Sequence, residues 1–506
     1  MKKFVAILLG LAMLGCVACK KDETDSEGSS GGAKMSSEVA GKDSSEDPSG
    51  DESKSTSSED QSADPTDDPS ANSTDEPDLP EGAVLINEKN FPDKSFRWFT
   101  GEYYDLNFDG ILDKDEISQI KLLNLYMVSD EGPFDLTGIE YFTALEELTY
   151  SGFGSTANYL SKLDVSKNTE LRMLWCTEAA LTELDLSANT KLEELWITRN
   201  GLQTLDISHN PKLKSVHADY NIIEEIDLSN NPELETLDLS ENRLSSIDVS
   251  KNPKLQQFSC QSAGHTFSEI DLSANADLTY LSIGSSNLKE LDVTCCPNLE
   301  YLYVTNSQIK NIDLSQCTKL VQLSVDYSQL ESLDASASKG IEFLTCISNQ
   351  LTSIDVSGIE SLYYLDCSCN QLKELDLRNN PNLNLVYCQD NLLTDVRFGS
   401  NLSTFDCSHN RIQKLDLSKA YPTRLFCDGN PIETLDLSAC KDLVVLDIRG
   451  TNITSIDVRS CPNLVATMKE CELDQSSGFN RIGGYDVGED TYTEIQYEVS
   501  TEIVWE

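Results

Sequence analysis

From Leu163 to Leu464 the chain repeats one phrase, apolar–Asp–apolar–Ser, as in Leu184-Asp185-Leu186-Ser187 and Ile247-Asp248-Val249-Ser250. Its first apolar residue falls at 163, 184, 205, 226, 247, 270, 291, 312, 333, 354, 375, 396, 415, 435 and 456, mostly in steps of 21. A fixed period of this length marks a repeat array. Each period holds two half-phrases: residues 192–200 read LEELWITRN, and residues 201–211 continue as GLQTLDISHNP. Leu195 and Ile197, like Leu205 and Ile207, are two apart, so in extended chain they point the same way. Trp196 and Asp206, between them, point out. Asn200 and Asn210 suit the bends, where an amide can satisfy backbone groups inside a turn. One such coil cannot bury its apolar edges alone, but stacked coils share a continuous core.

This pattern resembles the secreted bacterial leucine-rich repeat proteins of the internalin and BspA-like type, in the 21-residue variety with nested half-repeats and Cys often replacing a core Leu. The resemblance covers about two thirds of the chain. It implies an α/β-type repeat that is predominantly β: a curved leucine-rich repeat solenoid with a parallel sheet lining its concave face.

The chain opens MKKFVAILLGLAMLGCVACKKDE, a basic start and an apolar run too short to be a stable membrane span. Val17-Ala18-Cys19 resembles a bacterial lipobox, with Cys16 as the alternative lipidated residue. From Lys20 to Gly82 the composition is Ser, Asp, Glu, Gly and Pro, with 19 acidic and 5 basic residues. Such a segment has almost nothing to bury and is expected to stay disordered, an extended tether averaging about 45 Å end to end.

Order is expected from Val84. Pro92 opens a helix with Phe96 and Phe99 on one face. The segment DLNFDGILDKDE, Asp105 to Glu116, then matches a calcium loop position by position. Calcium takes six to eight oxygens. Asp105, Asn107 and Asp109 stand at positions one, three and five, Gly110 at the turn and Ile111 at the backbone-carbonyl position. Asp113 stands at position nine and Glu116 at the bidentate twelfth. NFPDKSFRWF followed by this loop also resembles the leading module of secreted leucine-rich repeat proteins, which caps the first coil. A structural Ca²⁺ in a helical, EF-hand-like cap is the expectation. The expected organisation is a lipoprotein signal peptide over 1–19, the tether over 20–82 and the calcium-binding cap over 83–130. The solenoid follows over 131–470, and a C-terminal cap strand region over 471–506.

Reading each slot down the stack separates core from display. The slot after the second Leu holds Cys176, Ile197, Ala218, Leu239, Cys260, Ile283, Val304, Val325, Cys346, Cys367, Cys388, Cys407, Cys427 and Ile448, so Cys behaves there as a small buried hydrophobe. Cys296, Cys317, Cys440 and Cys461 take a bend slot that is Asn elsewhere. The repeat places these thiols, so most are expected to be free. The recurrent Asp is expected to cap amides of its own bend. Outward slots differ from coil to coil and gather two aromatic groups: Met173, Trp175, Trp196, His217 and Tyr220, then Tyr280, Tyr301, Tyr303, Tyr327, Phe343 and Tyr364. Contiguous exposed aromatics mark binding surfaces.

A net charge of −48 argues against nucleic acid or an acidic surface as partner. No phosphate loop or nucleophile elbow appears, and Cys369, Asp390 and His409, one per coil, stand in the wrong order for a catalytic triad. The sequence points to a non-enzymatic, envelope-anchored recognition protein. A host or cell-surface protein is the first partner expected, a glycan the second, and an enzyme using Cys369/Asp390/His409 a distant third. The N-terminal lipid is the expected link to the membrane.

Overall fold

The computed structural model describes residues 79–125, 135–152, 160–262, 264–284, 287–399, 402–470, 473–475, 480–486, 491–498 and 500–505. The expected signal peptide, Cys16, Cys19 and the tether up to residue 78 lie outside the described residues.

Stacking of the first half-phrases makes one parallel sheet. From Leu122–Leu125 through Val445–Asp447 each strand pairs in register with its counterpart in the next coil, so Leu281, Leu302, Leu323, Leu344 and Leu365 stand side by side. All five are fully buried. The period-two alternation sends these leucines and the Cys/aliphatic column inward while Trp175, Trp196, Tyr301 and Tyr303 stay half-exposed on the other face. The second half-phrase forms only short stretches of ladder, such as Ser332–Asp334 on Ser353–Asp355 and Glu374–Leu377 on Asp395–Phe398. Its Asp residues are turn makers: Asp206 Oδ1 accepts from Ser208 N at 2.9 Å, and Asp248 Oδ1 from Ser250 N at 2.8 Å. Among the described residues the α-helices lie outside the run of coils. They are α1 (Lys94–Tyr103), α2 (Lys114–Gln119) and α3 (Pro462–Glu470). The architecture is a predominantly β leucine-rich repeat solenoid.

Two columns of bend side chains tie the coils together. In the first, Asn391 donates to Cys367 O of the preceding coil at 2.9 Å and to Cys388 O at 3.2 Å, while its Oδ1 accepts from Leu372 N at 2.9 Å. Asn221, Asn242, Asn349, Asn370, Asn410 and Asn430 repeat this arrangement. In the second column Asn252 donates to Leu228 O at 3.1 Å and Asn231 O at 2.9 Å, but its Oδ1 meets no donor. Asn168, Asn189, Asn210, Asn231, Asn275 and Asn380 share that unmet oxygen.

The contrast accounts for what replaces Asn. The second column asks only for a donor, and a thiol is one: Cys296 Sγ reaches Asn275 O at 3.6 Å and Cys317 Sγ reaches Val293 O at 3.4 Å. The first column uses donor and acceptor together, and its polar replacements among the described residues are Ser307, Ser328, His265 and Thr451, while Ala179 in the opening coil supplies neither. The Gly264-His265 insertion is thereby explained. His265 is fully buried, and its Nδ1 accepts from Leu244 N at 3.0 Å where neighbouring coils use an amide oxygen.

The ends are built differently. Before the first coil, Phe91, Phe96, Tyr104 and Phe142 pack ring against ring at 5.6–6.2 Å. Gly138, at φ 109°, is required because a Cβ there would meet Phe91 at 2.3 Å. Asn168 extends the second column into this region by donating to Ile139 O and Phe142 O, both at 2.9 Å. After the last coil α3 forms, which the failing repeat rhythm gave no sign of. The strand Thr491–Tyr497 then lies parallel along Val445–Asp447 and carries Asn480–Asp486 antiparallel on its far side.

Replacing Asn391 by Ala strips a buried amide and two buried carbonyls of partners, at about 1–3 kcal/mol each. Asn391→Ala should therefore lower the urea midpoint most, Asn252→Ala less, and Cys317→Ala least. Equal midpoints for Asn391→Ala and Cys317→Ala would contradict the two-column account.

Candidate functional site

The outward column of the sheet reads in register Trp175, Trp196, His217, Asp238, Ser259, Ser282 and Tyr303. In-register parallel strands hold such side chains about 4.8 Å apart, which lets flat rings stack. Trp175 and Trp196 do so at 4.6 Å and 9°, and the His217 ring lies on Trp196 at 3.5 Å and 12°. Met173 is the half-buried neighbour at the start of the same strand. Tyr220 departs from the sequence reading. It sits beyond the strand at φ 53°, nearly half exposed, with the Arg199 guanidinium 4.3 Å over its ring.

The second aromatic group divides. Tyr280 contacts Tyr301 at 6.3 Å and Tyr303 at 5.6 Å. Gln322 and Ser324 occupy the next strand, and a separate cluster follows in which Phe343 meets Tyr364 at 6.3 Å and Tyr364 meets Tyr387 at 5.6 Å. Tyr387, which the sequence grouping leaves out, stands in the neighbouring outward column, in register with Asp366 rather than with Tyr364. Tyr327 belongs, like Tyr220, to a column of bends with positive φ that also carries Arg199, Glu241, Cys369, Asp390 and His409. The suspected catalytic trio is thus a row of bend residues. His409 Nε2 is 3.4 Å from Asp428 Oδ2, a carboxylate outside that row.

Between and beyond the aromatics the face is acidic and partly buried. Asp326 Oδ2 accepts from Ser324 and Thr345 hydroxyls, and Oδ1 from Ile347 N at 2.7 Å. Burial pushes the carboxyls of Asp366 and Asp406 up to about 6 and raises that of Asp326. Burial likewise raises the Tyr303 and Tyr364 hydroxyls. The solvated turn aspartates behave oppositely: hydrogen bonds from Ser208 and Ser250 hold Asp206 and Asp248 below the usual carboxylate range.

Among the described residues no two cysteines are joined in a disulfide. Cys346, Cys367, Cys388, Cys407 and Cys427 line the core of five successive coils and are fully buried. Burial pushes the Cys176 thiol up to about 12, so these side chains act as packing groups.

The segment 105–116 forms a loop between α1 and α2. Asp105 accepts from Asp109 N at 3.2 Å and Gly110 N at 2.9 Å, and Asn107 Oδ1 from Asp109 N at 2.9 Å. Asp109 Oδ1 accepts from Ile111 N at 2.8 Å, and Asp113 caps α2. Glu116 spans the loop, Oε1 taking Leu106 N at 2.8 Å and Oε2 taking Asp113 N at 2.9 Å. Gly110 adopts φ 81°, as the sharp turn requires. Ile111–Leu112 pairs antiparallel with Val84–Leu85, which stands where a second loop would. Asp105 and Glu116 are buried, yet among the described residues no Lys or Arg pairs with them. Each carboxylate oxygen has two lone pairs, so the amide bonds leave capacity for a cation. The donor set fits an oxygen-liganded divalent ion.

No protein-family model matches this chain, and no curated protein does. Solved structures do. The functional domain of InlJ from Listeria monocytogenes, which includes a cysteine ladder, aligns with TM-score 0.56 and 21% identity over 83% of this chain and 98% of that one. A leucine-rich repeat protein of Leptospira interrogans aligns with TM-score 0.48 and 17% identity over 67% and 92%. An internalin of Listeria monocytogenes, InlF, aligns with TM-score 0.41 and 22% identity over 75% and 95%.

The buried carboxyls set a pH dependence. Between an unfolded value of about 3.9 and the folded value near 6, the native state binds more protons at Asp366 and Asp406, so stability falls as pH rises through that window. The depressed turn aspartates contribute fully above about 3.9 and lose that contribution as pH falls through their folded values. Thermal stability should peak at about pH 4, where the turn aspartates are ionised and the buried pair is still protonated. Asp366→Asn with Asp406→Asn should flatten the decline toward pH 7.5, by up to about 3 kcal/mol per site; melting scans showing the same decline in the double variant would refute this assignment. With its ladder of in-register leucines, thiols and bend amides, the chain has the leucine-rich repeat solenoid fold.

Proposed function

We propose that this protein is a non-enzymatic recognition solenoid, tethered to the cell envelope through a lipid on Cys19 (or Cys16), that binds a protein partner on the aromatic face of its sheet. One observation carries the reading: Trp175, Trp196 and His217 stack in register on a half-exposed sheet face. Large flat side chains with two side-chain torsions lose little freedom on binding and dominate protein interfaces. The Tyr280/Tyr301/Tyr303 and Phe343/Tyr364/Tyr387 clusters extend that surface. A glycan is the second reading, favoured by the spaced tyrosines, since aromatic faces also stack on sugar rings. No helix among the described residues is long and apolar enough to cross a membrane. Lipid attachment would be read directly by labelled palmitate: Cys19→Ala should abolish incorporation, and retained label would move the anchor to Cys16.

A pull-down from surface extracts beside a glycan array separates the two partner classes. Trp175→Ala/Trp196→Ala should reduce protein capture by at least tenfold, as loss of a central aromatic anchor does (about 2 kcal/mol or more). Glycan signals lost only with Tyr301→Ala/Tyr303→Ala would favour the second reading, and capture unchanged in both double variants would refute the aromatic face.

The loop 105–116 is read as a structural Ca²⁺ site. Asp105, Asn107, Asp109, Asp113, Glu116 and the Ile111 carbonyl supply the oxygens, and the ion neutralises the buried Asp105 and Glu116. Adding millimolar Ca²⁺ should raise the melting temperature of the wild type but not of Glu116→Gln; equal shifts would refute the site.

A further inference from the structure

Three ligand atoms from His217, Asp219 and Asp238 lie within 4.8 Å of one another, the one such group of three His, Cys, Asp or Glu side chains among the described residues. The fold puts them there for simple reasons. His217 and Asp238 are register partners on adjacent strands, and Asp219 follows His217 by two residues, so all three project to the same side. Each is already held. The His217 ring lies flat on Trp196 at 3.5 Å. Asp219 Oδ1 accepts the Thr198 hydroxyl at 2.7 Å, and Asp238 Oδ1 accepts Ser240 N at 2.9 Å. These bonds use Oδ1 in both carboxylates and leave Oδ2 free to turn inward. Among the described residues no hydrogen bond satisfies either ring nitrogen of His217. Arg199, whose charge acts on Asp219, lies over Tyr220 and beside Glu178 and forms no ion pair with either carboxylate.

From this geometry we infer that His217, Asp219 and Asp238 form a binding site for a divalent transition-metal ion of the zinc class. One imidazole and two carboxylates are a donor set that zinc accepts, with water completing the tetrahedron. Bonds of 2.0–2.2 Å require donors about 3.4 Å apart, a contraction that rotation of the two carboxylates supplies. Burial holds the imidazole's pKa below its ordinary value, which keeps a lone pair available, and raises that of Asp219, with Asp238 adding to the rise. A cation between the carboxylates relieves that crowding. Calcium, which takes oxygen ligands alone, is served by the loop at 105–116 and not by this cluster. Bound here, the ion sits beside the Trp175–Trp196 stack and presents an open coordination position on the sheet face. The inference goes beyond the protein-recognition reading and does not depend on it.

The test uses the full chain, stripped with chelator and returned to millimolar Ca²⁺ so that the loop is supplied. Calorimetry with Zn²⁺ should show one saturable site. His217→Ala and Asp238→Asn should each weaken it by more than the roughly 10–100-fold that loss of a hydrogen bond supporting a metal ligand costs, while His409→Ala leaves it unchanged. Ni²⁺ should quench tryptophan fluorescence in the wild type and far less in His217→Ala, because the ion lies against Trp196. Unchanged melting temperatures in metal-free buffer would show that the variants fold, and Asp219→Asn replaces either one that does not. Equal Zn²⁺ affinity in wild type, His217→Ala and Asp238→Asn would overturn the site. So would an absence of saturable heat up to about 1 mM Zn²⁺, or binding abolished by alkylating the accessible thiols.

Discussion

Everything in this molecule hangs on the side-chain hydrogen bonds, mostly from asparagine amides, that close the bends. A coil of extended chain has few regular partners of its own, and its turns would bury carbonyls and amides with nothing to bond. The Asn391 type of bridge, taking Leu372 N and giving to Cys367 O and Cys388 O, settles three such groups at once and joins two coils in doing so. Leucines and thiols fill the space between, but apolar contact has no preferred register. The amides supply direction, and the leucines supply most of the favourable energy.

Register, once fixed, decides the chemistry of the free face. Equivalent residues 21 positions apart become neighbours, so a Trp in one coil stacks on the Trp of the next and then on His217. The same rule crowds Asp366 and Asp406 into one column with Tyr387 between them. Burial there raises carboxyl pKa values, whereas the identical residue type in the second-half turns is held low by serine hydrogen bonds. Two aspartate populations with opposite behaviour come from one repeat.

Much of this was legible in the sequence because the period is a strong signal. Leu195 and Ile197 inward, Trp196 outward and Asp206 as a turn maker all follow from spacing alone. What escaped reading depended on atoms rather than on residue type. His265 replaces an asparagine because Nδ1 sits where an amide oxygen would, and a bulging two-residue insertion conceals that equivalence. The difference between the two bend columns, one needing an acceptor and one not, explains where cysteine is accepted, but the letters show only that Asn and Cys alternate. Sequence spacing groups Tyr220 and Tyr327 with the sheet aromatics, yet they occupy left-handed bends beside the sheet. The His217/Asp219/Asp238 cluster is invisible in any single column, because it joins an i, i+2 pair on one strand to an i, i+21 neighbour on the next.

The terminal hairpin has a consequence for association between molecules. A parallel stack ends in an unpaired row of amides and carbonyls, the edge on which another copy of the same repeat would seat most readily. Here Thr491–Tyr497 occupies that edge beside Val445–Asp447, and its own outer side is taken by the antiparallel Asn480–Asp486. A reversed neighbour breaks the coil-to-coil register, so a second copy of the repeat does not find at this end the in-register parallel edge that every inner coil offers.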